Sequence, residues 1–241
     1  MKIVVLAGGC STEREVSIVS GLNVCKALRS RGHRAVLADV FFEADVSGEL
    51  FPEEYDVDAK AAQISARNGE VEETKKNRRE FFGENVLTLC RAADMVFLAL
   101  HGENGENGKV QAAFDLLGIR YTGTGYLSSA LAMDKGLTKT LFEAGGVPTP
   151  RGTVHTKAQG ICTPKDLGME LPLVVKTCCG GSSVGVYIAN TEEEFTSALE
   201  QAFAYEEEAV IEEYIKGREF SVAVVDGKAY PVIEIAPLHG F

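Results

Sequence analysis

The 241-residue sequence predicts an α/β fold, a parallel-sheet N-terminal lobe followed by a smaller α+β lobe. Three observations carry that reading. The apolar run of residues 2–7 passes through Gly8-Gly9 into a helical repeat and then into a second apolar run, residues 35–40. Continuous apolar strands flanking a helix belong to a parallel sheet covered on both faces. A third run, residues 95–100, ends in a polar, glycine-punctuated loop, and beyond residue 150 the pattern changes to shorter strands with a hairpin signal at Asp226-Gly227.

The elements follow in order. Thr12, with Glu15 three residues on, reads as a capping box. Ile18, Leu22, Cys25 and Leu28 then recur at helical spacing. Arg29 and Arg31 suit the negative end of that helix, and Gly32 stops it. Residues 1–40 therefore form a βαβ unit, but the third spaced glycine of a dinucleotide fingerprint is missing, which excludes an NAD site of that type. Residues 43–80 are charged and weakly patterned and read as a solvated loop–helix excursion without chemistry. A helix around 86–89, the strand 95–100, a helix 110–117 stopped by Gly118, and a short strand 119–121 complete the first lobe. One helix is expected over 127–144. The expected lobes are 1–125, 126–209 and 210–241.

The loop of residues 101–108 lies at the carboxyl end of a parallel strand, where open α/β sheets bind ligands; the alternative is a plain strand-to-helix connection. In the second lobe an apolar strand, residues 171–175, delivers Lys176, Gly180-Gly181, Ser182-Ser183 and Gly185 to one turn, and a β-rich run over 184–189 leads away. Glycines let backbone N–H groups approach an anion, hydroxyls add donors, and the lysine adds a point charge. The lysine precedes the glycines and a strand follows, so this is neither a P-loop nor a Rossmann turn. It reads as a flap over nucleotide phosphates, or as a hairpin that happens to contain small residues. Thr191 and Glu194 open a further helix with a stripe of Phe195, Ala198, Leu199 and Ala202, and a strand at 210–215 precedes the hairpin.

A formal net charge of −11 argues against nucleic acid or an anionic membrane as partner, so an anionic ligand must be held by a few lysines and helix ends. No apolar run approaches the roughly 20 residues that span a bilayer, which points to the cytoplasm. The six cysteines show no CxxC pairing; Cys25 reads as a small core residue, and Cys178 and Cys179 as incidental unless Lys176 activates a thiol. The four histidines are scattered and propose no metal site.

Five motifs then occur in order: Ala7-Gly8-Gly9 with Ser11-Thr12-Glu13-Arg14-Glu15-Val16-Ser17; residues 101–108; Ala132-Met133-Asp134-Lys135; Gly181-Ser182-Ser183-Val184-Gly185; and residues 212–220. Together they resemble the D-alanine–D-alanine ligases of the ATP-grasp superfamily. The resemblance implies a pre-ATP-grasp lobe followed by an ATP-grasp lobe, ATP and Mg²⁺ as cofactors, and a homodimer. It implies that Glu13 meets the ammonium of the first D-alanine, that Ser182 orients Glu13, and that His101 lines the same pocket. Lys135 and Lys176 would hold the ATP phosphates beneath Gly181, Ser183 and Val184. Glu212 would accept from the adenine amino group, the backbone of Glu213, Tyr214 and Ile215 would complete adenine recognition, and Glu219 would take the ribose hydroxyls. On residue chemistry alone, Glu13 is equally a carboxylate favoured by a helix dipole, and the acidic residues near 212–219 are equally edge-strand gatekeepers. Other ATP-grasp carboxylate–amine ligases, or a nucleotide- or amino-acid-binding module without catalysis, fit the same motifs.

Two departures stand out. Thr177 occupies the position after Lys176 where relatives commonly carry proline. The family's Mg²⁺ ligands and its transition-state arginine are expected beyond Phe241, so the 241 residues are expected to hold the first-substrate pocket and to show negligible turnover by themselves.

Overall fold

The computed structural model describes residues 1–179 and 185–236. The chain divides into two compact units, Met1–Val147 with Thr177–Gly185, and Pro148–Lys176 with Val186–Phe241. Residues 126–147 fall in the first unit.

In the first unit β1 (Lys2–Ala7), α1 (Arg14–Ser30) and β2 (Arg34–Asp39) form the expected parallel βαβ unit. They are followed by α2 (Val57–Ala66), α3 (Val71–Asn77), α4 (Val86–Arg91), β3 (Met95–Leu98), α5 (Lys109–Leu117), α6 (Tyr126–Met133) and α7 (Lys135–Ala144). The sheet order is β2-β1-β3, with both neighbours parallel to β1. β1 explains the layering by its two-residue period. Ile3, Val5 and Ala7 pack with Ile18, Cys25, Leu37 and Ile64 on one face. Val4 and Leu6 pack with Val86, Val96, Val110 and Phe114 on the other. Burial pushes the Cys25 thiol up to about 11, in keeping with an inert core residue.

Several expectations need correction. No capping box forms at Thr12 and Glu15: α1 starts at Arg14, Glu13 is its N-cap without a side-chain cap bond, and Ser11 instead turns the entering chain. The excursion over 43–80 is no solvated appendage, because Phe51, Val57, Ala61, Ile64 and Val71 are core residues and Asp56 caps α2 through Ala59 N. The strand at 95–100 ends at Leu98, and residues 119–121 contribute only a bridge from Tyr121 to Val96. The single helix over 127–144 is two helices. Asp134 leaves helical geometry (φ −88°, ψ 106°) and its Oδ1 accepts from Leu137 N at 2.9 Å, so a new helix starts at Lys135.

The second unit contains β4 (Gly152–Thr156), β5 (Leu173–Thr177), β6 (Val186–Ala189), α8 (Glu192–Tyr205) and β7 (Glu208–Glu213). The sheet order is β4-β7-β5-β6, and Phe195, Ala198, Leu199 and Ala202 of α8 pack on Leu173, Val175, Ala209 and Ile211. Thr191 caps α8 through Glu194 N, while the Glu194 carboxylate takes Asn190 N, one residue before the cap. β5 begins two residues later than expected, so Lys176 and Thr177 lie inside the strand. β8 (Glu219–Ser221), β9 (Val224–Val225), β10 (Lys228–Ala229) and β11 (Ile233–Ile235) make the expected hairpin; Asp226 (φ 50°) and Gly227 (φ 73°) have the positive angles of a type I′ turn.

Gly21 sets the approach of α1 to the sheet. A Cβ there would lie 2.6 Å from Ala7 Cβ and 2.9 Å from Leu37 Cδ1. Gly21→Ala should therefore destabilise the chain by about 1–3 kcal/mol through overpacking, outweighing a helix-propensity gain of about 1 kcal/mol. Denaturant unfolding checks this; a stabilised variant would show that α1 is free to move outward.

Candidate substrate and nucleotide sites

In the order β2-β1-β3 the chain leaves β1 to one side and later returns on the other. The crevice at the carboxyl ends of β1 and β3 is thus a topological switch point, the place where open α/β sheets bind ligands. Two loops meet there. The loop after β1 carries Ser11 and Glu13, and the loop after β3 carries His101 and Gly102. Ser11 ties them together: its hydroxyl donates to His101 O at 2.7 Å and accepts from Glu13 N at 3.2 Å. Gly102 (φ 73°) leaves room for the Glu13 carboxylate, because a Cβ at this glycine would lie 2.7 Å from Glu13 Oε2. The His101 ring meets Ser20 Oγ through Nε2 at 3.0 Å, and Ser17 Oγ donates to Ala99 O at 2.7 Å, fixing the end of β3 on α1.

The second loop has its own supports. Glu106 Oε2 accepts from Gly102 N at 2.6 Å, and Gln111 Nε2 donates to Gly105 O at 2.7 Å. The result is a carboxylate at the positive end of α1, beside a half-buried imidazole, in a corner shaped by glycine. That arrangement suits the ammonium of a small amino acid. Ser11 and Ser17 stand in the first motif without an assigned role and Ser20 lies outside it; their hydroxyls meet the end of β3 and the loop that follows.

Lys135 opens α7 in the same unit. The carbonyl of Cys178, a buried residue, accepts from Lys135 N at 2.9 Å and from Lys135 Nζ at 3.4 Å. The helix break at Asp134 is what puts this lysine in the first turn of α7.

In the second unit the sheet brings Lys176 and Glu212 together. β5 and β7 are neighbours, and Lys176 Nζ lies 2.5 Å from Glu212 Oε2, with 23% and 9% of the two side chains exposed. Glu213 sits on the other face and accepts from Arg151 N at 2.9 Å. The Glu213 and Tyr214 amides donate to Arg151 O (2.9 Å) and Pro172 O (3.2 Å). Glu219 opens β8 and is exposed. Gly181, Ser182, Ser183 and Val184 lie outside the described residues.

Two family models match the chain, the D-ala D-ala ligase N-terminus over residues 2–124 and the D-ala D-ala ligase C-terminus over residues 147–241. The D-alanine–D-alanine ligase of Lacticaseibacillus casei (strain BL23) is 42% identical over 248 residues, covering 100% of this chain and 69% of the relative. A crystal structure of the Bacillus anthracis D-alanine–D-alanine ligase superposes with a TM-score of 0.71 at 32% identity, over 97% of this chain and 64% of that one. The same enzyme complexed with ATP gives 0.73 at 29% identity, over 100% and 68%. The sequence therefore spans about two thirds of the length of these relatives, and it belongs to the D-alanine–D-alanine ligase family.

Proposed function

We propose that the chain carries the first-substrate and nucleotide-recognising parts of an ATP-dependent ligase that joins two D-alanines for peptidoglycan precursors. The family supplies the reaction class. The observation that carries the reading onto these residues is the meeting of Glu13, Ser11 and the corner at His101 and Gly102 at the switch point. A carboxylate oxygen of one D-alanine attacks the γ-phosphorus of ATP, the bond to the β-phosphate oxygen breaks, and ADP leaves an acyl phosphate. The amine of a second D-alanine, having lost its proton to solvent, attacks the acyl carbon, and inorganic phosphate departs with the C–O bonding pair.

The chain's own residues bind and position. Glu13 accepts the ammonium of the first D-alanine and leaves that amine protonated and unreactive, so only its carboxylate enters the first step. His101 walls the pocket, and Ser182 orients Glu13. Lys135 and Lys176 neutralise phosphate charge under Gly181, Ser183 and Val184, work that is chiefly positioning and electrostatics. Glu212 accepts from the adenine amino group, the backbone of Glu213, Tyr214 and Ile215 lines the base, and Glu219 receives the ribose. Mg²⁺ belongs to this reading as the ion accompanying ATP. Among the described residues no three His, Cys, Asp or Glu side chains converge to hold a metal. The lobe limits near residues 125 and 209, a homodimer and a cytoplasmic setting complete the reading. No helix among the described residues is long and apolar enough to cross a membrane.

Glu13→Gln should weaken D-alanine binding by about 1.5–3 kcal/mol, the loss of one charge-assisted bond, while ATP binding stays near wild type. Nuclear magnetic resonance titration with D-alanine and with ATP tests this; unchanged D-alanine affinity in a folded variant would reject the assignment.

Lys176→Ala should lower triphosphate affinity more than adenosine affinity. It should also destabilise the second unit by about 3–5 kcal/mol, because Glu212 is left buried without this cation. Adding Glu212→Gln should recover much of the stability and none of the triphosphate affinity. Calorimetry that finds equal losses for adenosine and ATP would count against a phosphate role.

A further inference from the structure

The corner that carries Glu13 rests on a buried charge pair that lies outside the ligand contacts assigned above. Arg14 and Asp39 are each only 5% exposed, and Arg14 Nη2 lies 2.5 Å from Asp39 Oδ2. The rest of the guanidinium is also used: Nη1 donates to Gly9 O at 2.6 Å, Nη2 to Ile64 O at 3.2 Å, and Nε to Asn68 Oδ1 at 2.8 Å. Asp39 Oδ1 accepts from Phe41 N at 2.8 Å, Gly9 N at 3.3 Å and Phe42 N at 3.4 Å. The Gly9 peptide unit is therefore held on both sides, its carbonyl by the arginine and its amide by the aspartate.

We propose that Arg14 and Asp39 are positioning residues for the first substrate, a clamp that fixes the turn from Gly8 to Glu13 and so aims the Glu13 carboxylate. The inference rests on the reading of Glu13 as the ammonium acceptor. Three features argue for placement of the turn rather than general core stability. First, replacing a buried pair with apolar side chains is often neutral or stabilising, so the pair is a poor explanation of stability alone. Second, both charges grip Gly9, which lies four residues before Glu13 in the turn that leads to it. Third, Gly8 is shaped to the clamp, since a Cβ there would meet Asp39 Oδ2 at 2.7 Å and Arg14 Nη1 at 2.8 Å. Asn68 brings the excursion between β2 and α4 into the same network, giving that segment a task at the site.

The test compares D-alanine and ATP binding by nuclear magnetic resonance titration of the 241-residue chain with amide exchange at Gly9, Cys10 and Glu13. Arg14→Lys keeps the charge and loses the planar fork, so it should raise the D-alanine dissociation constant about tenfold and speed exchange at these amides. ATP affinity should stay within about twofold of wild type. Asn68→Ala removes the Nε partner of Arg14 together with an exposed bond from Asn68 Nδ2 to Glu15 Oε1, and should raise the D-alanine constant about threefold with the melting temperature nearly unchanged. Should Arg14→Lys fail to fold, Asn68→Ala is read by the same criteria. Folded variants with wild-type D-alanine affinity and unchanged exchange would overturn the clamp. Glu13→Gln runs alongside: if it weakens D-alanine binding while the clamp variants do not, the clamp alone falls, and if it has no effect, the assignment of Glu13 falls first and the clamp with it.

Discussion

The central position of β1 is the constraint on which the first unit depends. Because β2 and β3 both run parallel to it, its two faces are covered by α1 with α2 on one side and by α4 with α5 on the other. A strand buried on both faces has no side chain to offer solvent, so chemistry is confined to its carboxyl end. Everything assigned to the first substrate grows from that end. Ser17 bonds the end of β3 to α1, Ser11 bonds the loop after β3 to the loop after β1, and Gly102 leaves the space into which Glu13 projects.

The electrostatics follow the same economy. For a chain of net charge −11, the proposed binding of ATP, a polyanion, cannot rely on the overall field. The two lysines assigned to phosphate have their surroundings fixed beforehand: Lys135 at a helix start over the Cys178 carbonyl, and Lys176 against Glu212. The short ion pair holds Lys176 oriented within the sheet. It also makes the proposed phosphate and adenine contacts of the two residues interdependent, since a nucleotide must be fitted to both at once. An exposed lysine would instead lose side-chain entropy on binding.

Much of this was legible in the sequence because the relevant signals are local. The bounds of β1, the stop of α1 at Gly32, the buried stripe of α8 and the Asp226-Gly227 turn all follow from apolar period and backbone stereochemistry. The failures have identifiable causes. The expected capping box at Thr12 gave way because the chain must first make the double-glycine turn, and Ser11 meets that turn's demands. The continuous apolar pattern over 127–144 concealed a break, because Asp134 caps the second helix without interrupting the periodicity. The excursion over 43–80 looked solvated because its core residues, Phe51, Val57, Ala61, Ile64 and Val71, are spread thinly among charges. At the site, Glu13 and His101 were visible through the family motifs. Arg14 stands in the first motif without a role, and its pairing with Asp39 was not visible, because an ion pair across 25 residues leaves no spacing rule to read. The signal that existed was indirect: Arg14 continues the stripe of Ile18, Gly21 and Cys25 by one turn, and a charged residue on a buried stripe requires a partner.

The two loops at the switch point are anchored by different means, and the difference matters for how each can respond to a ligand. The loop after β1 hangs on a buried ion pair whose members can separate only by leaving charges desolvated, so it has one stable arrangement. The loop after β3 is tied by single hydrogen bonds from Glu106, Ser11 and Gln111, each contributing on the order of 1 kcal/mol, and its glycines at 102 and 108 hold positive φ without strain. Adjustment on binding therefore falls to the side bearing His101, while Glu13 stays fixed. A rigid charge facing an adaptable wall suits a pocket for a small zwitterion: the ammonium is located by the fixed carboxylate, and the wall closes on whatever side chain accompanies it.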